Sequence, residues 1–448
     1  MFDPPHLLKS VRNNLQKYNF TFAGGRTAKW TDIEDFYKLD EQQRFRMAPK
    51  LTKTHIDLPA FSKMKVKLAA QVVSRTVAAG LETHARLKGL NASDTAGFLA
   101  VFDELFDAVN SSQRFCTKQY KCAMSVRSGH VDLFNQRLKW LAQLSVTDKT
   151  GKDVTGIIKC ITGWHVTISA IIQLWPVLHQ LHNFEFLLTR RLNQDPLENF
   201  FSVIRQRGGN CDNPTPFQFS RLFKQICCQS LLSPVAGANC EFDSAFLLES
   251  VVSISTVSRP VFALTETADP KNSDVPLLAM ECANDSDLEG NGLSYVAGFL
   301  LRRILKWHSC ELCRGLWVDR TAISGNGLYT ACRMYSGSEI KGGPGLVTVS
   351  DAFFCYVTQC ESQFNSLFDS HGHEPGVLHM IVNELLNCRV PVDCDEFPKL
   401  LFLKYFVRMR IFYKLKFYNR SHSACTKKDV QTKLKPRKNR KLAKIQHV

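Results

Sequence analysis

The sequence predicts a mainly α-helical protein of several domains. Its 448 residues, 44% of them hydrophobic, are enough for more than one buried core and exclude a wholly disordered chain. Apolar residues recur at helical spacing along most of the chain, and no β alternation of useful length appears between residues 30 and 182. Proline in first turns and glycine after last turns mark the ends of some of these helices.

The N-terminal half contains a series of amphipathic patterns. Residues 7–15 predict a first helix, and no capping residue precedes it. Ser62 can cap a second helix with a broad apolar side, and Asp94 a third that is rich in phenylalanine. Residues 136–146 and 155–182 predict further helical stretches, with breaks at Asp148, Gly151 and Gly163.

A second group of patterns begins at residue 194. Asp195 and Pro196 open a helix that Gly208 and Gly209 end, and a proline turn leads into another helix from residue 217. Residues 265–290 contain seven acidic residues against one lysine, which predicts a solvated linker. A C-terminal domain follows, with helices expected over residues 293–305, 352–368, 376–387 and 397–417.

The positive charge is unevenly distributed. The formal net charge is +16, and residues 426–448 supply half of it, with nine Lys or Arg against one Asp, a net +8. This basic tail is typical of a nuclear localisation signal or of a phosphate-contacting segment, and a solvated disordered tail explains it equally well. A helix with interleaved basic and aromatic residues precedes it, which suits either the DNA backbone or an edge helix.

No feature predicts secretion or a membrane partner. The first residues have no apolar signal region, and the longest apolar stretch, residues 156–175, contains Lys159 and His165. We therefore expect an intracellular, reduced and soluble protein.

Asp195 and Glu198 form the first candidate site. Two carboxylates at this spacing share one face near a helix start, where they could bind Mg²⁺ through their oxygens. An acidic helix start with no further role is the favoured reading of these two residues alone.

Three segments resemble the P-element transposase family, which includes the THAP-domain transposases. Residues 195–223 (DPLENFFSVIRQRGGNCDNPTPFQFSRLF) resemble the end of its RNase H-like catalytic domain, and residues 2–14 resemble the strand end and helix that contain the second catalytic Asp. Between them, PKLT at residues 49–52, KMKV at 63–66 and FDAVNS at 106–111 resemble the family's GTP-binding insertion domain.

The resemblance and the composition together divide the chain into six parts. The expected fold is mainly α: a helical GTP-binding insertion domain, the C-terminal helical part of an RNase H-like (α/β) catalytic domain, and a further mostly α domain. The expected limits are 1–15 for the end of the RNase H-like core, 16–190 for the insertion domain, 191–250 for the RNase H-like C-terminal segment, 251–290 for the acidic linker, 291–420 for the C-terminal domain and 421–448 for the basic tail.

The resemblance also implies catalytic residues. Asp3 and Glu198 match the second and third acidic residues of a DDE triad that holds two Mg²⁺ ions during DNA cleavage and strand transfer at transposon ends. Asp195 is implied in contact with metal or nucleotide phosphate. Without the resemblance, Asp3 is more typical of a turn.

Nucleotide recognition is implied at Asp107 and Asn110. A carboxylate can accept from both N1–H and N2–H₂ of guanine, a match that adenine does not offer, and the Asn110 amide can donate to O6 or N7. Without the resemblance, this is a solvated acidic face. Lys50, Lys65, Val66 and Ser74 stand where the family contacts the nucleotide. The chain lacks a P-loop motif, so GTP is expected to be a structural cofactor.

The family regions that precede Asp3, including the first catalytic Asp, do not fit into two residues. We therefore expect an N-terminally truncated nuclear transposase that binds GTP, is inactive alone and is a candidate homo-oligomer. The alternative is a domesticated, non-catalytic DNA-binding or protein-interaction protein.

Cysteines and histidines in the C-terminal domain form a last candidate. Cys310 and Cys313, with His308 before them and further Cys and His residues after Cys355, could build a zinc site. One C-x-x-C without a finger-like second pair favours reduced thiols instead.

Overall fold

A computed structural model gives the fold of residues 1–116, 118–209, 211, 213–228, 286–306, 308, 310–318, 325–334, 346–392 and 394–433. Helices dominate these residues, which confirms the mainly α class. Most of the expected acidic linker, up to residue 285, and the last part of the basic tail, from residue 434, lie outside the described residues.

Helices alternate with three short strands up to residue 228. In chain order the elements are α1 (Pro4–Leu15), β1 (Asn19–Phe22), β2 (Arg26–Ala28), α2 (Trp30–Gln42), α3 (Lys53–Ile56), α4 (Val66–Val72), α5 (Arg75–Lys88), α6 (Ser93–Val109), α7 (His130–Leu141), β3 (Ser145–Thr147), α8 (Lys159–Pro176), α9 (Asp195–Arg207) and α10 (Pro216–Cys228).

The later part of the chain is helical with one two-stranded ladder. Its elements are α11 (Ser286–Leu305), α12 (Glu311–Arg314), β4 (Trp317–Val318), α13 (Leu328–Arg333), β5 (Thr348–Val349), α14 (Asp351–His371), α15 (Val377–Leu385) and α16 (Lys399–Lys433).

The chain forms two compact units, and it enters each of them more than once. The first unit comprises the described residues of Met1–Asp40, Met47–Val275 and Ile323–Leu346. The second comprises those of Glu41–Arg46, Pro276–Ala322 and Val347–Val448. Helix α13 therefore belongs to the first unit, where it packs on α5.

The first helix begins earlier than the sequence predicts. It starts at Pro4, because Asp3 caps it by accepting from the His6 backbone N–H at 3.2 Å. Pro4 and Pro5 occupy the first turn, where a missing N–H costs nothing. The expectation that no capping residue precedes this helix is therefore wrong. The buried side of α1 packs against α4 and α8.

The first unit contains an antiparallel sheet that the sequence did not reveal. The strand order is β2-β1-β3, and Phe20 of β1 pairs with Val146 of β3. Phe20 and Phe22 contact Phe98 of α6, which places the sheet against the predicted phenylalanine stripe. Strands of three or four residues are too short to show alternation.

Both predicted caps in this unit are wrong. Ser62 lies in a short 3₁₀ turn; the helix breaks at Val73, and Ser74 caps the next helix by accepting from the Val77 N–H at 3.3 Å. Asp94 lies inside α6 and accepts instead from the Thr27 backbone N–H at 2.9 Å. Asp94 therefore follows a tertiary contact that local sequence does not encode, whereas Ser62 lies in a turn that precedes the helix.

Helix α8 runs through Gly163, where a break was expected. A Cβ on Gly163 would lie 2.6 Å from Cδ2 of Leu7, so glycine permits the close approach of α1. The segment Lys159–Leu181 is long and apolar enough to cross a membrane, but 33% of its most apolar window is buried in the protein. A core helix has the same composition, so this is weak evidence for a span.

Four long or medium helices form the second unit. Helix α11 packs against α14 and α16, and α15 packs against both α14 and α16. Glu361 and Arg410 form a buried ion pair that joins α14 to α16. Helix α11 begins at Ser286, inside the expected linker, and α16 extends to Lys433, well beyond the predicted end at residue 417.

Candidate catalytic and nucleotide site

Asp3 is held at the start of α1 by two backbone donors. The Gln194 N–H donates to Oδ1 at 2.7 Å, and the His6 N–H donates to Oδ2 at 3.2 Å. The Asp3 side chain is 4% exposed. The first of these bonds joins the beginning of the chain to the segment that precedes α9, because residue 194 directly precedes that helix.

His6 lies between the two predicted catalytic acids. Its Nε2 contacts Oε1 of Glu198 and lies 3.9 Å from Oδ2 of Asp3. The Glu198 side chain is 31% exposed, so it is the more accessible acid of the two. The structure therefore brings Asp3 and Glu198 to one imidazole, as a shared site requires.

Asp195 is buried at the first position of α9. Its Oδ2 lies 3.7 Å from a guanidinium nitrogen of Arg190, which compensates the carboxylate charge. Asp3, Asp195 and Glu198 offer carboxylate oxygens, the ligands that Mg²⁺ prefers, so this donor set fits the metal. A metal ion bound by both Asp3 and Glu198 would compete with His6 for Glu198.

The end of α6 reaches the same segment from the other side. Asn193 donates from Nδ2 to Oδ1 of Asn110 at 2.8 Å, and the Arg190 N–H donates to the Ser111 carbonyl at 3.1 Å. Asn193 Oδ1 is buried and accepts no hydrogen bond from any residue that the structure describes. Because Asn110 accepts through Oδ1, its Nδ2 is a donor, which fits an acceptor atom of a nucleotide base.

Asp107 faces two lysines from the loop after α6. Lys118 donates to Oδ2 at 2.8 Å, and Lys121 Nζ lies 3.8 Å from Oδ1. Asp103, one turn earlier, lies 3.8 Å from the same Lys118. A carboxylate has about four acceptor positions, so these contacts leave Asp107 able to accept from a base edge.

The remaining predicted nucleotide residues lie on other elements of the first unit. Lys50 is exposed before α3; Lys65 is exposed and stands immediately before α4, whose first residue is Val66, which is buried. Ser74 caps α5, which packs along α6. Lys50 and Lys65 are thus accessible to phosphate, whereas the Ser74 hydroxyl already accepts from Val77 and donates to the Gln71 carbonyl at 3.1 Å.

Several residues at this site were missed from the sequence. They are His6, Lys118, Lys121, Arg190 and Asn193. His6 is three residues after Asp3, a spacing that places both on one side of a helix start and could have suggested it. The others lie in irregular segments without periodicity, so nothing in the sequence indicates where their side chains go.

The parts of the chain that form this site are similar to known proteins. Residues 5–139 match a family model for a TNP-like, GTP-binding insertion domain, and residues 191–224 match one for a TNP-like, RNase H C-terminal domain. The Transposable element P transposase of Drosophila melanogaster is 25% identical over 433 residues, which is 93% of this chain and 52% of the relative. The chain thus contains two TNP-like domains and is similar to a P-element transposase over most of its length.

One further protein and one solved structure are similar to about half of the chain. DNA transposase THAP9 of Homo sapiens is 27% identical over 239 residues, covering 50% of this chain and 25% of the relative. A solved structure of the Drosophila P element transposase strand transfer complex is 29% identical and covers 51% of each chain, with a TM-score of 0.43. The chain therefore spans about half, or less, of the curated relatives it matches.

The family models cover most of the predicted site residues. Lys50, Lys65, Val66, Ser74, Asp107 and Asn110 fall within the GTP-binding insertion domain, and Asp195 and Glu198 within the RNase H C-terminal domain. Asp3 precedes the first matched range.

Proposed function

We propose that this chain binds GTP at the end of α6, through Asp107 and Asn110. The observation that supports this most is the pair of groups at the end of α6: the Asp107 carboxylate, which has acceptor positions beyond its lysine contacts, and the Asn110 amide, whose Oδ1 accepts from Asn193 and whose Nδ2 is a donor. Asp107 and Asn110 lie within residues 5–139, whose family model describes GTP binding.

Each side chain has a distinct role in this proposal. The Asp107 carboxylate accepts from N1–H and N2–H₂ of guanine, and Lys118 remains close enough to compensate its charge. Asn110 uses Oδ1 to accept from Asn193, so its Nδ2 donates to O6 or N7 of the base. Exposed Lys50 and Lys65 bind phosphate, and Val66 and Ser74 shape the start of α4 and α5 beside them.

Titration of the wild type and of two variants, Asp107→Ala and Asp103→Ala, with GTP and ATP tests the proposal. We expect the wild type to bind GTP more tightly than ATP, and Asp107→Ala to weaken GTP binding at least tenfold, since charged hydrogen bonds are worth about 1.5–3 kcal/mol each. Asp103→Ala is the matched control, because it removes a carboxylate near the same lysine. Equal GTP affinities in all three chains, or no preference over ATP, would exclude this site.

We propose that the acidic residues have the metal-binding role that the resemblance to P-element transposases implies. Asp3 and Glu198 hold Mg²⁺ for DNA cleavage and strand transfer at transposon ends in the nucleus, and Asp195 assists them from the first turn of α9. We expect the carboxylates of Asp3, Asp195 and Glu198 to bind a divalent metal ion. Self-association is compatible with this role.

A second function is favoured by a specific observation. Both oxygens of Asp3 accept backbone hydrogen bonds, and the His6 imidazole contacts Glu198, so both acids have polar partners within the protein. This suits a non-catalytic protein that binds DNA or another protein.

Measuring how the Glu198→Ala variant binds metal and DNA distinguishes the two proposed functions. A metal-binding role predicts that Mn²⁺ or Mg²⁺ binding falls in Glu198→Ala, while the non-catalytic role predicts DNA binding that survives the change and needs no Mg²⁺. The control is Glu185→Ala, which removes an acid that is 76% exposed. Unchanged metal binding in Glu198→Ala contradicts the catalytic assignment.

A further inference from the structure

One cysteine- and histidine-rich cluster in the second unit is unused by the functions above. His308, Cys310, Cys313 and Cys394 bring their ligand atoms within 4.8 Å of one another. His308 follows α11, Cys310 directly precedes α12, Cys313 lies in α12, and Cys394 lies between α15 and α16. Two chain segments, residues 308–313 and the segment around Cys394, therefore meet at one point.

The separations match those of a tetrahedral metal site. His308 Nε2 lies 3.2 Å from Cys313 Sγ and 3.6 Å from Cys394 Sγ. Zinc bonds of about 2.3 Å to sulfur and 2.0 Å to nitrogen place neighbouring ligands of a tetrahedron about 3.5 Å apart. A single thiol–imidazole hydrogen bond would explain one short distance between sulfur and nitrogen. It does not explain three sulfur atoms grouped around one imidazole.

Burial and chemistry favour a closed site. Cys313 is fully buried, and His308, Cys310 and Cys394 are half-buried. Three thiolates with one imidazole form a soft ligand set that selects zinc over Mg²⁺ or Ca²⁺. Four protein ligands fill a tetrahedron and leave no open position for a substrate, as in structural sites.

We propose that His308, Cys310, Cys313 and Cys394 bind one Zn²⁺ ion that joins the segment around α12 to the segment before α16. The sequence favoured reduced thiols, because Cys394 is distant from the C-x-x-C pair and the spacing is not that of a finger. The fold brings Cys394, the fourth ligand, to the other three, which its position in the sequence did not indicate. Loss of zinc should release this connection within the second unit. The proposal is independent of GTP binding.

Metal analysis of the full chain tests the site. We expect about one zinc per wild-type chain purified without chelator, and most of it to be lost in Cys310→Ser and Cys394→Ser. The matched control is Cys355→Ser, which removes an exposed thiol outside the cluster. No zinc in the wild type, or wild-type zinc content in both cluster variants, would overturn the proposal.

The absorption spectrum of the wild-type chain with bound Co²⁺ tests the site without any variant. The wild-type chain produced with Co²⁺ in place of zinc should show strong visible absorption of a tetrahedral site and charge-transfer bands from three thiolates. A weak octahedral spectrum without thiolate bands contradicts the assignment, even if the cysteine variants fail to fold.

Discussion

His84 lies buried in α5, and neither of its ring nitrogens hydrogen-bonds to another residue that the structure describes. Its ring contacts Phe36 edge-on, with 5.1 Å between the ring centroids. Burial lowers the pKa of His84 from its ordinary value of 6.5; Asp40 acts in the opposite direction and Lys88 in the same one. The neutral imidazole therefore belongs to the folded state.

This burial makes the stability of the first unit depend on pH. The unfolded chain binds a proton at His84 near pH 6.5, and the folded chain only at a lower pH, so the free energy of unfolding falls as pH drops below about 6.5. We expect His84→Leu to lose less stability than the wild type between pH 7.5 and 5.5, as measured by urea unfolding. His130 adds a similar contribution, because burial lowers its pKa as well.

An exposed histidine provides the control for this prediction. His182→Leu removes a histidine at the surface of the same unit and should leave the pH dependence of unfolding unchanged. If the His84 variant keeps the full wild-type slope, the burial of an uncompensated imidazole is not the cause of the pH dependence.

The site shows what a sequence can and cannot predict for single residues. Asp195 and Glu198 share a helix start in the structure as their spacing predicted, because that geometry is local. The proximity of Asp3 and Glu198 was implied only by the family resemblance, which did not indicate His6, since residues so distant in the chain have no spacing to interpret. The lysines beside Asp107 come from an irregular loop, where no periodicity directs a side chain.

At the scale of elements, two glycines on neighbouring helices differ in what surrounds them. A Cβ on Gly80 of α5 would lie 2.5 Å from Cζ of the buried Phe36 ring, whereas a Cβ on Gly97 of α6 would meet nothing within 4 Å. Gly80 therefore permits α2 and α5 to approach closely, and Gly97 only weakens its helix.

We expect opposite effects when each glycine becomes alanine. Gly80→Ala should destabilise the first unit by about 1–3 kcal/mol through overpacking, and Gly97→Ala should stabilise it by about 0.5–1 kcal/mol through helix propensity. Chemical unfolding of both variants against the wild type measures the difference. A stabilised Gly80→Ala would show that Phe36 moves aside without cost and that the close approach is not required.

Helix interiors were predictable and helix ends were not. The phenylalanine stripe of α6 is buried as expected, with Phe98, Leu99 and Phe102 in the core, because a period of 3.6 is visible over 17 residues. The expected caps failed because Asp94 bonds to a distant strand residue and Ser62 lies in a 3₁₀ turn. Tertiary contacts decide such ends, and they also form the short strands β1 to β3.

At the scale of the whole molecule, charge is concentrated towards the C-terminus. Helix α16 is 35 residues long, so it extends roughly 50 Å at 1.5 Å per residue, and its last turns are part of the basic tail. Half of the formal charge of +16 lies in residues 426–448. Any contact of this tail with DNA phosphates releases counterions and is weakened by salt.

Salt titration of DNA binding measures the contribution of the tail. We expect replacement of five basic tail residues by glutamine to make the slope of log affinity against log salt shallower by up to about 4–5, because each phosphate contact contributes about 0.9. The replaced residues are Lys435, Arg437, Lys438, Arg440 and Lys441. The control replaces five exposed lysines of the first unit: Lys29, Lys38, Lys53, Lys67 and Lys149. Equal slopes in both variants mean that overall charge, not the tail, governs binding.

The three residues Asn193, Gln194 and Asp195 touch both ends of the candidate site. Asn193 holds the end of α6, Gln194 holds Asp3, and Asp195 begins the helix that contains Glu198. The nucleotide and the divalent cation of the proposed function would therefore contact the same short segment from opposite ends. Any change that one of them makes in the affinity for the other must then be matched by an equal change in the reverse direction.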